Sequence, residues 1–122
     1  MTDLVHRRRA LRVASTALAG WGAVQLAIPE RLVRTLSPDR PEPRTWVVRL
    51  LGARMLAQHA LVAAVPDRTL VLGSAGVDGV HAASMLLVAA FSRDYRRVSL
   101  VSAGIAGAAA LTGTLTAAGT RR

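Results

Sequence analysis

The chain has 122 residues, 52% of them hydrophobic but only 3% aromatic, no cysteine, and a formal charge of +9 in which every basic residue is arginine. That length suits one domain of ordinary size. Without cysteine, disulfides and thiolate metal sites are excluded, and so few rings offer no stacking platform for single-stranded nucleic acid. The arginines fall in clusters between apolar runs instead of along one stripe. Basic segments bordering a membrane therefore explain the charge, and no nucleic-acid partner is expected. Ala, Val, Leu and Gly supply the apolar mass, a composition that suits helices approaching closely in lipid.

Four apolar runs predict an all-α fold, a four-helix transmembrane bundle forming a single membrane domain over residues 1–122, with helices at about 10–28, 46–65, 69–92 and 98–119. The first run, VASTALAGWGAVQLAI, is marginal for the ~20 residues a span needs. It follows HRRR, as a secretory leader would, but Gln25-Leu26-Ala27 is a poor cleavage site, so a retained first helix is expected. Residues 29–45 form an interfacial loop. Pro29 and Glu30 suit a first helical turn, and Leu32, Val33 and Leu36 can lie on the membrane surface beside Arg31 and Arg34. Residues 37–43 hold three prolines and should be irregular.

The second run contains Arg49, Arg54, Gln58 and His59, so it spans only if protein shelters those groups. Pro66-Asp67-Arg68 is a tight link, making the second and third helices an antiparallel hairpin. The third run carries Asp78 and His81; the fourth carries no charge. A soluble bundle would need a charged outer face on each helix, which the fourth cannot provide. In the fourth, Ala103 and Gly107, and Ala109 and Gly113, are small residues four apart, suited to internal packing or to a homo-oligomer contact.

Counting from Asp67 at ~1.5 Å of rise per residue, Arg54, Asp78 and His81 lie roughly 20, 17 and 21 Å from the hairpin tip. Gln58, His59 and Ser74 form a layer nearer the tip. Arg54 and Gln58 share one face of their helix, and Ser74, Asp78 and His81 one face of theirs. Turning these faces together is the cheapest arrangement. Asp78 then accepts two parallel hydrogen bonds from Arg54, His81 orients the carboxylate, and Gln58 bonds Ser74. Two readings of this intramembrane polar cluster stay open: a buried structural pair that fixes hairpin register, and a polar site lining a cavity or proton path. A metal site is disfavoured because His59 and His81 differ by about 9 Å in depth. No catalytic residues are assigned: G-x-S-x-G, H-E-x-x-H and phosphate-loop patterns are absent. No cofactor is expected.

Loop arginines number seven on each side, taking Arg7, Arg8, Arg9, Arg12, Arg68, Arg121 and Arg122 against Arg31, Arg34, Arg40, Arg44, Arg93, Arg96 and Arg97. The basic cluster before the first helix tips the expectation toward cytoplasmic termini. Trp46, Phe91 and Tyr95 fall at the opposite side, where an aromatic belt is expected.

With GARML at residues 52–56 and VDGVH at 77–81, the chain resembles the small four-helix integral membrane proteins of actinobacteria whose function is unknown. The resemblance covers residues 50–110 and implies a multi-pass bundle without implying an activity. Fluoride channels and small multidrug exporters have a similar length, but the first helix here lacks the acidic residue such exporters need, and no Phe/Thr/Ser-rich filter stretch is present. The expected function is a non-enzymatic accessory or scaffolding subunit of a membrane complex. The alternative is a small transporter or proton-coupled channel. Expected partners are the lipid bilayer of the cell membrane, anionic lipid headgroups at the arginine-rich loops, and a homo-oligomer or larger membrane complex.

Overall fold

The computed structural model describes residues 2–36, 38 and 44–119. Five helices account for nearly all of them: α1 (Thr2–Ala27), α2 (Pro29–Leu36), α3 (Thr45–Ala64), α4 (Arg68–Phe91) and α5 (Arg96–Ala118). The all-α bundle agrees with the apolar pattern. Helix α1 starts eight residues earlier than expected, because the arginine cluster and its Leu and Ala neighbours are good helix formers. Apart from Pro38, which lies in a turn, the proline-rich stretch 37–43 is outside the described residues, as are Arg121 and Arg122.

Helices α3, α4 and α5 are each long and apolar enough to cross a membrane. Helices α1 and α2 together qualify as a fourth span bent by 101°. Proline at position 29 starts α2 at its first turn, where its missing N–H costs nothing. Pro29 and Val33 are buried, whereas Arg31, Arg34 and Thr35 are exposed, so α2 is a short amphipathic helix turned across the end of the bundle. Large apolar side chains face outward along the spans, among them Val80, Leu87, Leu111 and Leu115. A multi-pass chain of this kind places those faces against lipid.

Connections are short and capped. Asp67 is the N-cap of α4, its Oδ2 accepting from the backbone N–H groups of Thr69 (2.9 Å) and Leu70 (3.3 Å). At the other end of α4, Arg96 donates from Nε to the carbonyl of Ala89 at 2.9 Å, satisfying a last-turn acceptor.

The hairpin of α3 and α4 is present, but its helices are not the closest pair. The tight packings are α1 against α3 and α4 against α5, and α3 meets α4 at few points along its length. Glycine explains the first. A Cβ on Gly22 would lie 2.6 Å from the Leu56 backbone nitrogen and 2.7 Å from the Gly52 carbonyl oxygen; a Cβ on Gly52 would lie 2.7 Å from the Gly22 oxygen. Only bare backbone permits that approach. Alanine and glycine make the second: Ala103, Ala106, Ala109, Gly113 and Ala117 are buried along α5. Gly113 sits against Ala75, where a Cβ would come within 3.0 Å of the alanine methyl. Gly107 meets nothing within 4 Å, so of the two spaced pairs in α5 only Ala109 and Gly113 are both buried.

Candidate functional site: a buried polar centre

Asp78 is among the most completely buried large side chains, 1% exposed in the middle of α4. A carboxylate so placed needs partners from neighbouring helices. Three come from α3. Gln58 donates from Nε2 to Asp78 Oδ1 at 3.0 Å and to Ser74 Oγ at 2.8 Å. Arg54 brings Nη2 to 3.6 Å from the same Oδ1. His59, also buried, places Nε2 at 3.3 Å from Oδ2. The residue numbers in the pairs Arg54–Asp78 and Gln58–Ser74 have the same sum, as an antiparallel register requires.

This geometry keeps the expected pairs but alters their chemistry. Gln58 and Ser74 bond as the depth count suggested. Arg54 and Asp78 meet at ion-pair distance without the two parallel hydrogen bonds, and Gln58, closer than Arg54, is the hydrogen-bonding partner. The histidines exchange roles. His81 does not orient Asp78; its Nε2 lies 3.0 Å from Ser102 Oγ, on α5. His59 takes the carboxylate instead. The cause is angular: His81 is three residues past Asp78, which turns it toward α5, whereas His59 is one step around α3 from Gln58 and faces inward. Depth along the axis favoured His81, and orientation around each helix overrides it.

Three buried polar atoms, Arg54 Nε, His59 Nε2 and Asp78 Oδ2, have no hydrogen-bond partner among the described residues. Two of them are the atoms facing each other at 3.3 Å, so the His59–Asp78 contact is one of proximity without hydrogen-bond geometry. Beside His59 lies a void of about 20 Å³, bordered also by Ser15, Ser74 and Thr112. That is room for one water, in a mostly apolar wall whose polar groups are His59 and those three hydroxyls. Toward the chain termini the void is closed by Leu11, Val62 and Val71, which pack with Ala117 into a buried apolar cluster. Beyond them a cleft of about 430 Å³ carries Arg7, Arg8, Asp67 and Arg68. No three His, Asp or Glu side chains converge as metal ligands among the described residues.

Two features lay outside the sequence reading. The Gly22–Gly52 contact had a signal, glycine in each of two facing runs, but the first run also holds Gly20 and glycine is common in this chain. The other is a cavity of about 340 Å³ at the end away from the termini, bordered by all five helices and including Trp21 and Gln25 in its wall.

No protein-family model, curated protein or solved structure matches the chain.

Proposed function

We propose that the chain is a non-enzymatic integral membrane protein, an accessory or scaffolding subunit of a membrane complex, with cytoplasmic termini. The observation that supports this is the crowding around Asp78. Its carboxylate is met by Arg54, Gln58 and His59, and is sealed from solvent. An acid so engaged makes a poor general acid or base, and works well as a pin that fixes the register of α3 against α4. The resemblance carried by GARML and VDGVH accords with a multi-pass bundle. The arginine-rich ends suit anionic headgroups, and the outward apolar faces suit a second copy or another membrane subunit. Affinity purification from detergent extracts with mass spectrometry tests the reading. A stable, stoichiometric membrane partner or homo-oligomer is expected; a monodisperse monomer without partners contradicts it.

A second reading is a small proton-coupled transporter or channel. It is favoured by the facing pair His59 and Asp78, the water-sized void beside them, and the cleft one apolar layer away. Purified protein in liposomes under a pH gradient separates the two: flux abolished by Asp78→Asn supports transport, and absence of flux removes it.

A further inference from the structure

On the side of the polar centre away from the termini, the bundle opens. The α1–α3 pair and the α4–α5 pair part, and α2 lies across the gap. The resulting cavity, about 340 Å³, falls within the range of small-molecule sites, roughly 300–1,000 Å³. Its wall is almost wholly apolar: Leu32, Val33 and Leu36 enter from α2, Val48 from α3, Met85 from α4 and Val98 from α5. An unfilled apolar void forfeits dispersion contacts on every side, so hydrocarbon is the matching content.

Three observations specify the rest of the ligand. First, α2 turns 101° from α1 and keeps Arg31 and Arg34 outside, as a helix lying in the membrane interface does. Second, exposed Trp46 and Phe91 lie at this end, and Tyr95 borders the cavity, which sets its level near the headgroups. Third, the charged side chain on the wall is Arg44, exposed and immediately before α3. A guanidinium at the mouth of an apolar pocket at headgroup height selects an anion joined to a tail.

We propose that this cavity binds the hydrocarbon tail of an anionic membrane amphiphile, with α2 as its interfacial wall and Arg44 at its mouth. The head is defined by its negative charge, which a fatty carboxylate and a phospholipid phosphate share. The site is independent of the role assigned to Asp78, which lies in the layer above.

The chain's two tryptophans supply the test. Trp46→Phe leaves Trp21 as a reporter on the cavity wall, and Trp21→Phe leaves exposed Trp46 as a bulk control. Full-length protein in detergent is titrated with dibromostearate and, separately, with dibrominated phosphatidylglycerol. Saturable quenching of Trp21 by either probe, against unsaturable quenching of Trp46, is expected, and the probe that saturates identifies the source of the head. Filling the cavity with Val98→Phe or, from the opposite wall, Leu36→Phe should abolish saturation while helical circular dichroism is retained. Arg44→Gln should weaken the anionic probe about tenfold, the scale of one lost charge-assisted hydrogen bond. Unsaturable quenching of Trp21 by both probes overturns the site. Equal binding of a brominated alkyl trimethylammonium overturns the assignment to Arg44.

Discussion

Along its α1 face, α3 offers Gly52 to Gly22, and each bare Cα lets the other's carbonyl oxygen into the space a methyl would fill. Along its α4 face, α3 instead sends Arg54, Gln58 and His59 across a wider gap to one carboxylate. In lipid, apolar side chains gain little by leaving solvent, so helices associate through close packing or through hydrogen bonds. This chain uses one device on each side of the same helix. The first tolerates no added atom, and the second tolerates no missing partner.

The largest effect is expected at the polar seam. Arg54→Met leaves Asp78 buried without its cation and should cost about 3–5 kcal/mol, read as the thermal midpoint in detergent. Asp78→Leu should cost a comparable amount, because Arg54, roughly 20 Å from the hairpin tip, is then left among protein and hydrocarbon without its anion. A small loss from either single change would argue against the pairing.

At the glycine seam, Gly22→Val forces a side chain into the Leu56 backbone and should destabilise by at least ~1–3 kcal/mol. No change on the α4 side should rescue it, since the two seams share no side chain. Rescue by a polar substitution at position 74 or 78 would show that they are coupled.

A smaller loss is expected at the α4–α5 pair. His81→Leu removes the bond to Ser102 and should cost about 0.5–1.5 kcal/mol. Ser102→Ala should cost a similar amount, and the double change little more than either; a double loss equal to the sum would break the assignment. The smallest effect has the opposite sign. A Cβ at Gly76 meets nothing within 4 Å, so Gly76→Ala should stabilise by about 0.5–1 kcal/mol through the unfolded chain. A drop in melting temperature there would reveal a contact on that face.

The bundle was legible because apolar run length and the tip at Pro66-Asp67 are local signals, and a charge inside a span must find a partner. Those rules paired Arg54 with Asp78 and Gln58 with Ser74. They could not rank the helix pairs, because packing without side chains leaves its evidence in backbone distance. Gly22 and Gly107 look alike in the sequence, yet one lies against backbone and the other against open space. Nor was depth a sufficient guide to the histidines: it set His81 level with Asp78, whereas the direction in which each ring leaves its helix decides which one meets the carboxylate. The cavity under α2 follows from where the helix pairs part, a property of no single segment.

Arg54 and Asp78 act as partners holding α3 to α4, and a double-mutant cycle tests that partnership. The melting temperatures in detergent of Arg54→Met, Asp78→Leu and the combined variant are compared with the parent chain. Partnership predicts that the combined variant recovers most of the loss seen in Arg54→Met, because no charge is left stranded. A combined loss equal to the sum of the single losses would contradict it.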